Sequence, residues 1–370
     1  HQLDAQERRK LDFLYRKSGI DSRHSVLDDF QKEEVSDFTF FPKNKELNPF
    51  PGTAARMQLF EEKGPELAEQ AVRSALQQAE VEANSLTHLI LISCTGMVAP
   101  GLELDLMRRL DIPSSVERYC IHFMGCYAAF TGLRLADQLV KANPKSRVLV
   151  VSVELCTLHF QKEYTEDNLL ANSLFGDGAA AALVMQSEKG LQIKNYFSEV
   201  LWEGEKDMAW KIGDFGFEMR LSQYIPSLLN QGIRKLRDLF EAKFNFSQVQ
   251  HVAIHPGGKQ ILIQVQEAFG LSPEVNKHAL EVLRTCGNMS SASILLSWSA
   301  CCRIPAFKAI SLPWALVPDL LWKLPTTKSD ESVCTALPRK GNHGRPELLR
   351  TRLGADPPGV EDHQPLVGGK

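Results

Sequence analysis

Two short, dense apolar runs constrain the fold of this chain more than any other feature. THLILISCTG (87–96) and RVLVVSVELC (147–156) are each about one strand long, and their apolar residues stand at consecutive rather than alternate positions. A strand with this pattern is buried on both faces, as in a sheet that helices cover on both sides. AAAALVM (179–185) and LQIKNYFSEV (191–200) predict a third and a fourth strand.

Segments with helical periodicity separate these runs. Helices are predicted at 57–80, 101–110 and 126–143. The second half repeats the pattern with a helix at about 221–243, a strand HVAIH at 251–255 and a helix from Lys259. This alternation favours an α/β layered fold in which helices pack against a central sheet.

Composition excludes several classes of protein. A length of 370 residues allows two core-forming halves. The net charge of −3 gives no electrostatic reason to expect nucleic acid or an anionic membrane as a partner. No apolar run reaches the roughly 18 residues of a membrane span. The charged N-terminal segment HQLDAQERRKLDF does not resemble a signal peptide.

The cysteines indicate a reducing compartment. Eight cysteines in 370 residues, with no CxxC pair, are too sparse for a disulfide scaffold. No cluster of cysteine and histidine has the spacing of zinc ligands, so no metal is expected. The cytoplasm is the predicted location.

The sequence changes character after about Leu296. Residues 298–370 hold nine of the nineteen prolines and three of the five tryptophans. Because proline interrupts both helices and strand ladders, this segment is predicted to be poorly ordered. So abrupt a loss of pattern is typical of an out-of-frame tail.

Cys126 is the first candidate for chemistry. In IHFMGCYAAFTGLRLADQL it follows an apolar stretch and a glycine and opens a predicted helix. A thiol at a helix N-terminus lies beside unpaired N–H groups, which favour the thiolate that attacks thioesters. The alternative is a buried structural cysteine, which is the commoner role of a lone cysteine.

A histidine and an asparagine complete a candidate acyl-transfer site. His255 ends the predicted strand HVAIH, where it can accept a proton or donate to a developing oxyanion. Asn288 in CGNMSSASILL can also donate to an oxyanion. Taken singly, His255 is more simply satisfied by local backbone, and Asn288 is more simply a helix N-cap. Together with Cys126 they form a recurrent constellation for acyl transfer.

Eight blocks in order carry a resemblance to a known family. They are KSGIDSR (17–23), CTGMVAPG (94–101), GCYAAFTGLRLA (125–136), VSVELCTLHF (151–160), LFGDGAAAALV (174–184), GFEMRLSQYIP (216–226), IHPGGKQIL (254–262) and GNMSSASIL (287–295). Residues 10–296 resemble the type III polyketide synthases, the chalcone synthase-like branch of the thiolase superfamily. The VELCTLHF block is similar to bacterial alkylpyrone- and alkylresorcinol-forming members.

The resemblance implies roles for individual residues. Cys126 matches the acyl-holding nucleophile, and His255 and Asn288 match the catalytic histidine and asparagine. The positions expected to line the substrate cavity are Phe175, Phe217, His159 and Ala99, of which the two phenylalanines match gatekeepers. Lys10 and Lys17 match basic positions that contact CoA phosphates. Phe13 stands where a third basic residue is expected, and by themselves the two lysines are simply a solvated helix face.

The resemblance also implies the architecture. We expect a duplicated, thiolase-like α/β/α layered fold with an incomplete second half. Residues 1–215 form the half with the nucleophile, 216–297 form a partial half with His255 and Asn288, and 298–370 form a tail unlike the family. The Gly-rich loop that closes the family's cavity has no counterpart in that tail.

The implied activity is a decarboxylative Claisen condensation. An acyl-CoA starter and malonyl-CoA would be joined into a pyrone, resorcinol or chalcone type of polyketide, with CoA thioesters as substrates and no cofactor. A homodimer is expected. The alternatives are a β-ketoacyl-ACP synthase III-like condensing enzyme and an inactive truncated homologue.

Overall fold

The structure is a computed structural model of the chain. It describes residues 3–187, 190–193, 196–198, 200, 202, 208–221, 232–233, 237–238, 240, 251–302, 309–312 and 349–352. The α-helices in these ranges are α1 (Ala5–Ser18), α2 (Thr53–Ala79), α3 (Leu102–Arg109), α4 (Ala128–Ala142), α5 (Glu166–Leu174), α6 (Lys259–Ala268), α7 (Lys277–Cys286) and α8 (Ala292–Cys302). The strands are β1 (Ser22–Ser25), β2 (His88–Ser93), β3 (Glu117–His122), β4 (Arg147–Leu155), β5 (Asp177–Met185), β6 (Met208–Gly213), β7 (Gly216–Leu221), β8 (His251–Ile254), β9 (Ala309–Leu312) and β10 (Leu349–Arg352).

A four-stranded sheet in the order β3-β2-β4-β5 forms the centre of the first half. β2 lies parallel to β3 and β4, whereas β5 is antiparallel to β4. Both faces of the sheet are covered, since successive residues of a strand enter different cores. Ile90 packs in one apolar cluster and Leu91 in the other. This explains why the apolar runs lack alternation.

Helices form the two outer layers. α2 and α3 contribute to the apolar cluster on one face of the sheet. α4 and the first turns of α8 contribute to the cluster on the opposite face. The predicted α/β layered fold is confirmed. α8 comes from the second half of the chain, so this core joins the two halves.

The described part of the second half surrounds a third apolar cluster. β8 pairs in parallel with β9, and α6 and α7 pack beside it. The predicted strand at 251–255 and the predicted helix from Lys259 are both present. The hairpin β6–β7 was not predicted, nor was the edge strand β3, whose residues are mostly exposed or half-buried.

Two predicted elements need comment. The strand expected at 191–200 is wrong for the residues described there, which are irregular apart from a bridge at Ser198. Of the helix expected at about 221–243, the structure describes only 221, 232–233, 237–238 and 240, so most of that prediction lies outside the described residues.

The C-terminal range 298–370 is described in three short pieces. They are the end of α8, the strand β9, and the strand β10, which pairs antiparallel with β1. The other residues of this range lie outside the described part, so the poorly ordered tail stays a prediction.

Among the helices that the structure describes, none combines the length and the apolar character needed to span a bilayer.

We predict that Gly132→Leu destabilises the first half. A Cβ at Gly132 would lie 2.6 Å from Cδ1 of Ile92 and 3.3 Å from Cγ1 of Val150, so a larger side chain must push α4 away from the sheet. Overpacking of this kind costs about 1–3 kcal/mol. Urea unfolding should show this loss in the free energy of unfolding. Gln138→Leu, at an exposed position of the same helix, should change it by less than about 0.5 kcal/mol. If Gly132→Leu and the wild type had equal free energies of unfolding, the close packing of α4 against the sheet would be contradicted.

Candidate active site

Cys126 lies in the loop between β3 and α4. The chain turns through left-handed conformations at Phe123 (φ 58°) and Gly125 (φ 77°) before reaching it. α4 begins at Ala128 with Tyr127 as its N-cap, so Cys126 stands just ahead of the helix rather than in its first turn. A hydrogen bond anchors this loop to the residue after β2, since the Gly125 N–H donates to Sγ of Cys94 at 3.2 Å.

His255 follows β8 and is almost completely buried, with 1% of its surface exposed. Neither ring nitrogen has a hydrogen-bond partner among the residues that the structure describes. Gly257 lies against the ring, since a Cβ there would be 3.3 Å from Cδ2 of His255. An imidazole buried without partners is costly, so its nitrogens are available to a ligand.

Asn288 lies between α7 and α8, and two hydrogen bonds hold its side chain while leaving one amide N–H for other contacts. Its Oδ1 accepts from the Ser290 N–H at 2.8 Å, and its Nδ2 donates to the Gly257 carbonyl at 3.2 Å. Because α8 begins at Ala292, Asn288 is not the cap of that helix. Its backbone instead bridges to the first half, donating to the Leu174 carbonyl and accepting from the Gly176 N–H.

The structure brings these three residues together through Asn288. The side chains of Ser290 and Asn288 favour the charged form of the Cys126 sulfur and so act to lower its pKa. The Asn288 amide also contacts the Gly257 backbone, which touches the His255 ring. Asn288 therefore lies near Cys126 and near the turn that follows His255.

Burial dominates the electrostatics of the site. Desolvation raises the pKa of the Cys126 thiol to about 11, and the hydrogen bond from Ser290 only partly opposes it. Desolvation also lowers the pKa of His255 to about 3. At neutral pH the free site holds a neutral thiol and a neutral imidazole. Desolvation therefore opposes the thiolate expected at a helix N-terminus, and Cys126 lies ahead of the helix rather than in its first turn.

A buried carboxylate that the sequence did not reveal lies close to Cys126. Glu154 accepts from the Cys94 N–H at 3.0 Å, from the Thr95 hydroxyl at 2.7 Å and from the Ser291 hydroxyl. Desolvation raises its pKa to about 6, and its charge raises the pKa of Cys126. The available signal was a single carboxylate inside the apolar run of β4.

Aromatic rings form a wall beside the site. The Phe217 ring stacks on His159 with centroids 4.0 Å apart, and Trp210 meets the Phe217 ring nearly at right angles at 6.0 Å. Phe175 lies 6.4 Å from Trp210 and its backbone forms a bridge to Asn288. The contribution of Trp210 was not predicted, because the β6–β7 hairpin was not.

His159 is a neutral residue of this wall, and its two ring nitrogens join Phe217 to Thr95 by hydrogen bonds. Its Nδ1 accepts from the Phe217 N–H at 2.9 Å, and its Nε2 lies 2.8 Å from the Thr95 carbonyl oxygen. Because a carbonyl can only accept, Nε2 carries the proton. Burial lowers the pKa of His159 to about 3, so this arrangement persists at neutral pH.

A cavity of about 230 Å³ lies against the aromatic wall. Phe175, Phe217 and His159 line it, together with Trp210 and residues of α1 and α5. The structure does not place Ala99 there, since Ala99 is exposed in the loop before α3.

The two predicted CoA-binding lysines lie on the exposed side of α1. Lys10 forms an ion pair with Glu166 at 3.0 Å, and this hydrogen bond raises the pKa of Lys10. The Lys17 ammonium lies over the ring of Phe13, which is 61% exposed. Both lysines can reach solvent, as a phosphate contact requires.

Two family models match the chain. The description "chalcone and stilbene synthases, N-terminal domain" applies to residues 2–187, and the corresponding C-terminal domain applies to residues 192–301. The chain belongs to this family. Its members are type III polyketide synthases, acyltransferases that condense an acyl-CoA starter with malonyl-CoA, so the predicted family and class of reaction are confirmed.

Individual relatives agree with this assignment. An alpha-pyrone synthesis polyketide synthase-like protein of Mycobacterium tuberculosis is 29% identical over 303 residues, which cover 79% of this chain and 75% of that protein. A putative chalcone synthase of Bacillus subtilis is 34% identical over 242 residues, 61% of this chain and 66% of that protein. A probable polyketide synthase of Dictyostelium discoideum is 28% identical over 86% of this chain, but the chain spans only 10% of that protein.

Solved structures confirm the thiolase-like fold. A polyketide synthase of the brown alga Ectocarpus siliculosus superposes with a TM-score of 0.79 at 26% identity, over 86% of this chain and 90% of that chain. The 1,3,6,8-tetrahydroxynaphthalene synthase of Streptomyces coelicolor gives a TM-score of 0.76 at 22% identity, over 88% of this chain and 92% of that chain.

We predict that Glu154→Gln makes Cys126 titrate at lower pH. The Glu154 carboxylate is charged above its pKa of about 6 and disfavours a second negative charge on the sulfur. Removing that charge should shift the midpoint of Cys126 alkylation below about 11, measured by iodoacetamide labelling at each pH with mass spectrometry.

A second cysteine supplies the matched control. Partial desolvation and the neighbouring Glu103 together raise the pKa of Cys120 to about 11. Glu103→Gln should lower the midpoint for Cys120 and leave that of Cys126 unchanged. If the pH midpoint of Cys126 alkylation is the same in Glu154→Gln as in the wild type, the electrostatic coupling between Glu154 and Cys126 is wrong.

Proposed function

We propose that this chain holds an acyl starter on Cys126 as a thioester and extends it with malonyl-CoA at the same site. His255 and Asn288 are the proposed donors to negative charge on the substrate oxygen. The supporting observation is that the Asn288 side chain contacts the Cys126 sulfur and the Gly257 backbone beside His255. The unpartnered nitrogens of His255 add a group that a ligand can satisfy.

Loading of the starter begins from neutral groups. The His255 imidazole takes the proton of the Cys126 thiol as the sulfur attacks the thioester carbon. A new bond forms between the sulfur and the acyl carbon, and the bond to CoA breaks. The proton then passes from His255 to the departing CoA thiolate. A neutral imidazole suits this step, because an imidazolium could not accept a proton.

Extension uses the same groups as donors. The malonyl carboxylate leaves as carbon dioxide, and its electron pair forms a thioester enolate. The enolate oxygen carries negative charge in a desolvated site, where N–H donors stabilise it strongly. His255 and the Asn288 amide are positioned to supply those N–H groups. The enolate carbon attacks the acyl carbon on Cys126, and the carbon–sulfur bond breaks to release the Cys126 thiolate, which takes one proton from solvent to regenerate the thiol.

The remaining residues are assigned to binding. Phe175, Phe217 and His159 would line the path to the cavity, and their contacts with the cavity support this role. Ala99 would reach a cavity wall only in an assembly that covers its loop. Lys10 and Lys17 would contact CoA phosphates, with Lys10 exchanging its Glu166 partner for phosphate.

The product, location and assembly are part of the same proposal. The product class is a pyrone, resorcinol or chalcone type of polyketide, and the name of the mycobacterial alpha-pyrone relative supports a pyrone. The sparse cysteines support the cytoplasm as location. The reaction needs no metal or redox cofactor, because each bond change is balanced by proton transfer and loss of carbon dioxide. A homodimer is the proposed assembly.

We predict that Cys126→Ala abolishes covalent acyl loading. Incubation with an acyl-CoA should add one acyl mass to the wild-type chain and none to the variant, because the thioester needs this sulfur. Intact mass spectrometry measures both. Cys120→Ala, which removes an exposed cysteine, should load like the wild type. Loading of the Cys126→Ala variant would exclude the nucleophile, and a wild-type chain that does not load would support an inactive homologue.

We predict that His255→Gln slows malonyl-CoA decarboxylation by about 100-fold or more, the cost of losing one oxyanion donor. Release of labelled carbon dioxide measures the rate. His88→Gln is the control, because His88 lies at the opposite end of β2 from the Cys126 loop, and its rate should equal that of the wild type. An undiminished rate in His255→Gln would remove His255 from the mechanism.

A further inference from the structure

Phe123 has an unusual backbone conformation in the loop that carries Cys126. Its φ of 58° lies in the left-handed region that bulky L-residues rarely adopt. Phe123 directly follows β3 and precedes Cys126 by three residues. Strained residues that persist in a fold are held there by their surroundings, and they concentrate at functional sites.

The ring of Phe123 contacts the aromatic wall. It meets Phe217 edge-on, with centroids 5.1 Å apart and an interplanar angle of 64°. This geometry is favoured for an aromatic pair. Glycine would fit the same backbone without strain but would provide no ring.

Phe217 is therefore held on several sides. His159 stacks on its ring at 4.0 Å, and Trp210 lies perpendicular to it at 6.0 Å. His159 and Trp210 are fixed by hydrogen bonds to the backbone of Thr95 and Cys94. Phe123 is half-buried, and its own position depends on the loop that carries Cys126.

We infer that Phe123 is a positioning residue that fixes Phe217 relative to Cys126 and so limits the size of the acyl group that reaches the thiol. Its left-handed backbone places the ring on Phe217 while the chain turns toward Cys126. The Cys126 loop and β7 are thereby coupled through one ring contact. This inference rests on the proposed acyl loading at Cys126.

The test compares loading of a bulky and a small acyl-CoA, such as benzoyl-CoA and acetyl-CoA. Phe123→Gly keeps the turn and removes the ring, so Phe217 gains freedom and the larger acyl group gains access. The ratio of the two loading rates should rise about 2- to 10-fold in favour of the bulky group, which matches the loss of one aromatic pair. Phe123→Tyr retains the ring and should restore the wild-type ratio.

Glu80→Gly provides the backbone control. Glu80 also has a left-handed conformation, with φ 54°, but it is exposed at the end of α2. This variant relieves the same kind of strain away from the site and should leave the ratio unchanged. An unchanged ratio in Phe123→Gly, or an equal change in Glu80→Gly, would overturn the inference while leaving loading at Cys126 intact.

A double-mutant cycle tests the ring contact without any activity. Phe123→Leu and Phe217→Leu, alone and together, should show coupling in the unfolding equilibrium constant by a factor of about 2 to 10. Independent effects on urea unfolding would overturn the contact. If the wild type loads no acyl group, the proposed function fails, and this cycle still decides whether Phe123 positions Phe217.

Discussion

The site depends on the hydrogen bonds that the buried residue Asn288 makes through its side chain and its backbone. Asn288 belongs to the second half of the chain, yet its backbone hydrogen-bonds Leu174 and Gly176 of the first half. Its amide contacts the loop that carries His255 and the sulfur of Cys126. This buried amide therefore links the turn that follows His255 to the surroundings of Cys126. Losing a partner there would leave a buried polar group unpaired, which costs about 1–3 kcal/mol.

Desolvation sets the protonation states around that amide. The same burial raises the pKa of Cys126 and lowers that of His255, so both are neutral before substrate binds. The buried Glu154 adds to this bias by opposing the thiolate. In water-excluded surroundings these donors are stronger than they would be at the surface.

The aromatic wall lines the cavity and contacts the Cys126 loop and Asn288. Three rings pack around Phe217. They are Phe123 from the loop that carries Cys126, His159 from the turn after β4, and Trp210 from the β6–β7 hairpin. His159 accepts from the Phe217 backbone and stacks on its ring, so it fixes both the strand and the side chain. A substrate that passes this wall meets rings whose positions depend on one another.

The sequence by itself determined the layered α/β class and the buried strands β2 and β4, and it supplied Cys126, His255 and Asn288 as the candidate site residues. These follow from local patterns, since a strand buried on both faces leaves a continuous apolar run and the family's motifs are contiguous blocks. It did not reveal β3 or the β6–β7 hairpin, whose exposed or mixed residues carry no period. Only the tertiary structure decided that Asn288 joins the two halves, that Trp210 and Phe123 flank Phe217, and that the thiol and imidazole are neutral. Each of these depends on burial and on contacts between segments far apart in the chain, which no local pattern encodes.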